Sequence, residues 1–360
     1  MSDELPQIAI TMGDPAGIGP EIVVQACVSP RVRQVCRPVV FGDPEIIQDA
    51  ATRFIRGSVE IVASDHPRPA RLPLGPPPEE NQIFVVRCTH VPKAEFRPGE
   101  LHPAAGRAAA EAVICATQQV LKGECQAIIT APINKEALQL AGFRYPGHTE
   151  LLAELCGAKS FAMLLYLPPP VGSARKVGLA VAHVTLHMAM REIFEKLTPT
   201  SVSEKISLLN DFLRRLGVVQ PRIGVAALNP HGGEHGIFGK EEQLVIAPAV
   251  HAASQQGVQA EGPIPADTLF LRAVRGEFDG VVAMYHDQGH IPIKLLGMHR
   301  AVNVTVGLPI IRTSVAHGTA FDIAWQGRAN PESMIEAICV AAQLAKSPPT
   351  EREKHLSQRA

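Results

Sequence analysis

The sequence predicts an α/β protein with a largely parallel sheet and helices on both of its faces, and three observations predict it. Short β-branched runs alternate with longer Ala/Leu-rich stretches along the whole chain. Each strong strand-like run ends in a cluster of Gly, His, Asn, Asp or Pro. The chain has 360 residues, 46% of them hydrophobic, which suffices for a large core and exceeds one comfortable domain, so two domains are expected.

In order along the chain, residues 8–12 form the first buried strand and run into the glycine-rich segment Gly13-Asp14-Pro15-Ala16-Gly17-Ile18-Gly19-Pro20-Glu21. Residues 66–78 are rich in proline and read as a surface loop. Residues 104–121 are Ala-rich and read as a helix, 127–130 as an apolar strand and 136–141 as a short helix. Gly147-His148-Thr149-Glu150 opens a helix over 150–156, with Thr149 as its N-cap. Residues 161–167 and 177–184 are strands, and 201–216 a helix. The strand over 223–228 ends in Asn229-Pro230-His231-Gly232-Gly233-Glu234, followed by a helix over 241–256. The strand over 280–285 ends in His286-Asp287-Gln288-Gly289. A strand over 301–305 and a helix over 331–345 follow, and the polar residues 346–360 read as a frayed end. In open α/β sheets ligands bind outside the carboxyl ends of the strands, so these polar strand ends are the candidate site.

Composition excludes several functions. The net charge is −1 with no basic stripe, which argues against a nucleic-acid partner. No apolar run reaches the ~18 residues of a membrane span, and the polar, acidic residues 1–7 do not resemble a signal peptide. Seven cysteines without a CxxC pair fit reduced thiols and a cytoplasmic setting better than a disulfide framework. Aromatics are 4%, too few for base-stacking platforms.

Fourteen histidines are an unusual load for a neutral chain of this length. His187, His231 and His286 each stand just after an apolar strand, and neutral imidazoles from separate strand ends suit a divalent cation. His183, His235 and His290 are rivals nearby, and each histidine alone reads equally as a hydrogen-bonded polar residue. An anion has two candidate seats: the helix opening at Thr149, which otherwise is only a cap, and the stretch holding Lys294, Asn303 and Arg312, whose cations otherwise need structural carboxylates. The glycine-rich segment 13–19 is neither GxGxxG nor a P-loop. The small residues of His317-Gly318-Thr319-Ala320 would let backbone approach a flat ring, and Asp322 could accept hydroxyl hydrogen bonds. Asp267 is a candidate for acid–base work or for orienting a histidine, and equally for capping a helix. No GxSxG elbow surrounds Ser160 or Ser314.

The strings Ile10-Thr11-Met12-Gly13-Asp14-Pro15-Ala16-Gly17-Ile18-Gly19-Pro20-Glu21, Gly147-His148-Thr149-Glu150, Leu228-Asn229-Pro230-His231, Pro265-Ala266-Asp267-Thr268-Leu269-Phe270, Tyr285-His286-Asp287-Gln288-Gly289 and Gly307-Leu308-Pro309-Ile310-Ile311-Arg312-Thr313-Ser314 closely resemble the 4-hydroxythreonine-4-phosphate dehydrogenase family of pyridoxal phosphate biosynthesis, in order over residues 8 to 335. The segment from His317 to Pro331 also resembles the adenosine loop of isocitrate and isopropylmalate dehydrogenases.

The resemblance implies two α/β/α domains flanking a cleft, in the manner of those dehydrogenases: residues 1–145 with 300–360, and residues 146–299 with the metal ligands and the dimer contacts. It implies a homodimer with shared sites, and His187, His231 and His286 on one divalent metal (Zn, Mg, Co or Mn). It places His148, Thr149, Lys294, Asn303 and Arg312 on the substrate, His317, Gly318 and Asp322 on NAD, and Asp267 or Lys294 at the proton. The reaction implied is oxidation, then decarboxylation, of 4-phosphohydroxy-L-threonine to 3-amino-2-oxopropyl phosphate, with 4-phospho-D-threonate or 4-phospho-D-erythronate as the alternative substrate. Four features depart from the family: histidine at 183, 235 and 290, where apolar residues or glycine are usual, and Ala316, where Asp is usual. The usual proline after His187 is also missing. A non-redox metal-dependent aldolase or hydrolase would form no NADH. A phospho-ligand sensor would bind without turnover.

Overall fold

The structure is a computed structural model that describes residues 5–64, 82–92, 97–145, 147–158, 161–170, 172–173 and 177–348. The expected loop over 66–78 and most of the expected frayed end lie outside the described residues. The chain divides into two compact units, Met1–Ser160 with Leu308–Lys346, and Phe161–Gly307. The divisions fall after residues 160 and 307, where the sequence reading set them at 145 and 300, so the helix after Gly147 goes with the first unit.

The first unit holds β1 (Gln7–Thr11), α1 (Gly19–Cys27), α2 (Pro30–Arg33), β2 (Arg37–Gly42), α3 (Pro44–Phe54), β3 (Glu60–Ser64), β4 (Gln82–Arg87), α4 (Pro103–Leu121), β5 (Ala127–Thr130), α5 (Lys135–Leu140) and α6 (His148–Leu155). The second holds β6 (Ala162–Leu167), β7 (Leu179–His183), α7 (Met190–Lys196), α8 (Pro199–Arg215), β8 (Arg222–Ala226), α9 (Ala247–Gln255), β9 (Gln259–Ile264), α10 (Ala266–Val274), β10 (Gly280–Ala283), α11 (His286–Gly297) and β11 (Val302–Val306). The chain then returns to the first unit as β12 (Ile311–Val315) and α12 (Glu332–Lys346).

In the first unit the strands run β3-β4-β2-β1-β5-β12, every neighbour parallel. Ile8, Ala9, Ile10, Ile128 and Ile129 at its centre are fully buried, as expected of strands covered on both faces. Each large apolar side chain so buried contributes roughly 1.5–3 kcal/mol. Local chemistry sets the helix starts. Asp43 accepts the Glu45 amide before α3, and Asn134 accepts the Glu136 and Ala137 amides before α5. Pro44 and Pro103 stand at first helical positions, where no backbone donor is needed.

In the second unit the order is β11-β6-β7-β10-β8-β9. β6 pairs antiparallel with both β11 and β7, and β7, β10, β8 and β9 are parallel. β7, β10 and β8 are therefore neighbours pointing the same way, and their carboxyl ends share one edge. In the first unit β1, β5 and β12 do the same.

The loop after β1 buries a carboxylate. Asp14 Oδ1 accepts the Ala16 amide at 2.8 Å, while Oδ2 is buried without a hydrogen bond. Burial pushes the Asp14 carboxyl up to about 6, against the lowering effect of the Ala16 and Asn134 amides. A carboxyl with a raised folded pKa stabilises fully below its unfolded value, near 3.8, and that contribution is lost as pH rises through about 6. Asp14→Asn, which cannot ionise, should therefore gain stability on wild type between pH 4 and 6, by on the order of 2–3 kcal/mol, with a flat difference above. Urea melts across pH 4–8 check this; a pH-independent difference would refute it.

Candidate active site

In the second unit the chain after β7 carries His187, β10 runs into His286 at the start of α11, and β8 runs into His231. The ring centres of His187 and His286 are 5.6 Å apart. Two imidazoles on one cation, at bonds of about 2.1 Å, have ring centres roughly 5 Å apart, so this pair is close to a shared-ligand arrangement. His231 is exposed and makes no ring contact with them, and among the described residues no three His, Cys, Asp or Glu side chains stand at joint coordinating distance. His187 is exposed as well. In kind, three neutral imidazoles at neighbouring strand ends fit a divalent cation.

The supports of this edge are specific. Asp287 Oδ1 lies 2.6 Å from His286 Nδ1, the carboxylate–imidazole contact that orients a ligating histidine and leaves Nε2 outward. Gln288 joins two strand ends, its Oε1 accepting from the Met284 amide and its Nε2 donating to the Ala227 carbonyl, both at 2.7 Å. Buried Glu242 accepts the Leu228 and Asn229 amides at 2.8 and 2.7 Å and so anchors the strand end before His231. It lies in a π-helical turn, Glu242–Ile246, where the sequence reading began a plain helix. Beyond that anchor, His231, Glu234 and His235 adopt left-handed backbone with φ of 53°, 43° and 57°. Non-glycine residues rarely do so, and such strain concentrates at functional sites. Sequence reasoning assigned no role to Asp287, Gln288 or Glu242. Only the Asp beside a histidine was a usable signal.

The rivals His183 and His290 are not surface residues. His290 stacks on His286 with ring centres 3.7 Å apart and 13° between planes. His290 Nδ1 lies 3.1 Å from His183 Nε2. A side chain at Gly289 would run into that His183 nitrogen, so glycine is what lets α11 approach β7. Burial, with neighbouring imidazoles adding to it, pushes His183 down to about 3. Burial, His286 and Lys294 push His290 down to about 4. Both are therefore neutral at neutral pH. His235 lies on the left-handed segment, exposed. Lys294 is exposed on α11, one turn beyond His290. Asp267 is exposed in the first turn of α10, its Oδ1 accepting the Thr268 amide, while Pro265 takes the cap position. Asn303 sits on β11 with its Oδ1 buried and without a hydrogen bond.

In the first unit, Arg312 on β12 is 2% exposed and donates from Nη2 to Thr130 Oγ1 on β5 at 2.7 Å. Burial pushes this guanidinium down to about 10, against the favourable field of Glu150. A bound anion would reverse that loss. His148 Nε2 is buried without a hydrogen bond; burial first, then Arg312, holds this imidazole well below its ordinary value and so neutral. Thr149 is not the N-cap that the sequence suggested. α6 starts at His148, and Gly147, with nearly fully extended backbone, takes the cap position. Glycine has no side chain to accept the first-turn amides, so no cap side chain occupies them. After β12 the loop exposes Gly318 and the Asp322 carboxylate, with His317 Nδ1 3.1 Å from the Gly318 carbonyl. A side chain at Gly318 would meet nothing within 4 Å, so its backbone face is bare.

Comparison with known proteins gives a consistent picture. Residues 34–341 match the family described as pyridoxal phosphate biosynthetic protein PdxA. The chain is 45% identical over 345 residues to D-threonate 4-phosphate dehydrogenase of Salmonella typhimurium, covering 95% of this chain and all of that one. It is also 45% identical over 352 residues to 4-hydroxythreonine-4-phosphate dehydrogenase of Geobacter metallireducens, covering 96% and 97%. The crystal structure of 4-hydroxythreonine-4-phosphate dehydrogenase from Klebsiella pneumoniae is 44% identical, with a TM-score of 0.82 over 95% of this chain and all of that one.

Proposed function

Because the chain belongs to the family of the pyridoxal phosphate biosynthetic protein PdxA, we propose that it is an NAD-linked, divalent-cation-dependent dehydrogenase for the C3 hydroxyl of a four-carbon acid carrying a 4-phosphate. The reading is supported above all by three histidines that follow neighbouring parallel strands.

His187, His231 and His286 would hold the cation, which when bound supplies Lewis-acid polarisation of the substrate hydroxyl. Asp287 keeps Nε2 of His286 turned outward for that purpose. Arg312 and the first-turn amides of α6 bind the phosphate, with His148 as a neutral hydrogen-bonding partner and Thr149 beside it. Lys294 and Asn303 would hold the rest of the acid and Asp267 would accept the hydroxyl proton, while NAD, when bound, supplies the hydride acceptor. Asp322 would accept from ribose hydroxyls, and the backbone at Gly318, where a side chain would meet nothing within 4 Å, would lie against the cofactor beside His317. The product is a 3-keto acid, which loses carbon dioxide readily because its ketone is β to the carboxylate.

Two substrates share this chemistry and differ only at C2, where one has a hydroxyl and the other an ammonium. Relatives named D-threonate 4-phosphate dehydrogenase, at 45% identity over 95% of the chain in Salmonella typhimurium and 45% over 96% in Cupriavidus necator, favour the hydroxyl. The Geobacter metallireducens relative supports the ammonium compound, 4-phosphohydroxy-L-threonine. Assay of both acids with NAD decides. NADH from D-threonate 4-phosphate at the higher kcat/KM is expected, a preference for the amino acid reverses the choice, and no NADH from either, nor from 4-phospho-D-erythronate, refutes the dehydrogenase reading.

The working form proposed is a pair of identical chains. α11 leaves Ile291, Leu295 and Leu296 exposed, Leu295 by 83%, and Met298 just beyond its end is exposed as well. Apolar side chains gathered on one short element mark a protein-binding surface. Leu295→Glu is expected to give monomers in sedimentation at micromolar concentration; an unchanged sedimentation coefficient would remove α11 from the interface.

A further inference from the structure

The glycine-rich segment Gly13–Glu21 is the most distinctive string in the sequence, and none of the roles above uses it. It packs against the loop after β12, all within the first unit. The Ile18 amide donates to the Thr319 carbonyl at 3.0 Å, and the Trp325 indole N–H donates to the Pro15 carbonyl at 2.8 Å. The Ala329 amide donates to Glu21 Oε1 at 3.0 Å, while Oε2 is buried without a hydrogen bond. A side chain at Gly17 would stand 2.9 Å from both Cβ and the carbonyl oxygen of Thr319, so glycine is required for the approach. Glu21 is fully buried in the first turn of α1. The indole of Trp325 is held from other sides by Phe54, at 5.8 Å between ring centres, and by the Arg53 guanidinium, at 5.3 Å.

The loop thus held is strained. Ala320 and Trp325 take left-handed backbone, with φ of 43° and 59°. For a bulky residue such as tryptophan this is a genuine outlier, and it persists only where surrounding contacts over-determine it. The strained residues bracket Asp322, while His317 and Gly318 precede them.

We infer that Glu21 and Trp325 are positioning residues for NAD: the segment Gly13–Glu21 is no phosphate cradle but the seat that fixes residues 317–329 in their cofactor-binding conformation. This rests on the reading of His317, Gly318 and Asp322 as cofactor contacts. Glu21 acts through the Ala329 amide and Trp325 through one indole N–H, so neither touches cofactor or reacting atoms.

The test uses the whole chain with Glu21→Ala, Glu21→Gln and Trp325→Phe. Trp325 is the sole tryptophan, so its fluorescence reports NAD binding without turnover in wild type and the Glu21 variants; calorimetry serves for Trp325→Phe. Glu21→Ala and Trp325→Phe are expected to weaken NAD about tenfold, with KM for the phosphorylated acid and kcat within about twofold of wild type. Amide exchange should quicken over 317–329 and nowhere else. Glu21→Gln keeps a carbonyl oxygen for the Ala329 amide and should recover most of the affinity. If Glu21→Ala unfolds, Trp325→Phe carries the test, because it removes a single donor and keeps the ring packing. Unchanged NAD affinity in Trp325→Phe, or equal weakening of both substrates, overturns the inference. Wild-type protein that forms no NADH from any of these acids overturns the functional reading instead, and the exchange pattern still reports the clasp.

Discussion

Replacing His286 with alanine is expected to leave a folded protein with ~10³-fold less turnover. Lewis-acid stabilisation by a bound cation is worth several kcal/mol, and each 1.36 kcal/mol is a factor of ten in rate. His187→Ala and His231→Ala should fall as far, because a cation held by three imidazoles loses much of its affinity with any one of them. Folding should survive, since His187 and His231 are exposed and His286 is only half-buried. Asp287→Asn should show a smaller loss, about 10–100-fold, as an orienting contact does. Calorimetric titration with Zn²⁺, Co²⁺ and Mn²⁺ beside steady-state rates checks all four. Full activity with unaltered metal affinity in any of the three histidine variants removes that residue from the site.

The second large effect is expected at Arg312. Arg312→Met keeps much of the volume and deletes the buried charge, so KM for the phosphorylated acid should rise about 10–150-fold, the equivalent of a charge-assisted hydrogen bond of roughly 1.5–3 kcal/mol. The effect should fall mostly on KM, because a phosphate contact serves ground state and transition state alike. Inhibition by inorganic phosphate should weaken in parallel. Stability should hold or improve, because burial already holds this guanidinium down to about 10 and methionine carries no such penalty. Arg312→Lys should recover only part of the affinity, since an ammonium lacks the forked donor geometry. Wild-type KM in Arg312→Met would move the phosphate seat elsewhere.

Much of the fold was legible in the sequence. The strand Ala127–Thr130 was read with its bounds, and the other strong strands fell within a few residues of their positions, because apolar β-branched runs leave the chain few alternatives. Other elements were not read: β3 is half-exposed, and β2 and β12, though buried, carry Arg37 and Pro38 or Arg312, Thr313 and Ser314, which break the apolar run; α3 and α10 were missed despite their apolar faces. The start of α6 was misplaced by two residues because Thr149 has the better cap chemistry while Gly147 has the backbone. Among the site residues, His187 and His286 could be singled out by their place after apolar strands, and the structure brings their rings together. That His290 stacks on His286 and meets His183 was not legible, since His183 and His290 are 107 residues apart and meet only through the approach of α11 to β7.

What the sequence determined alone is the chemistry available: apolar runs that must be buried, and imidazoles, cations and glycines gathered after strands. Those follow from local composition, because backbone sterics and burial act over a few residues. What only the tertiary structure decided is which of these groups meet. Strand order makes β7, β10 and β8 neighbours, and helix approach carries Glu21 to Ala329 across 308 residues of chain. Such meetings depend on long-range packing, where contact is decided by the whole fold and leaves no periodic mark along the chain.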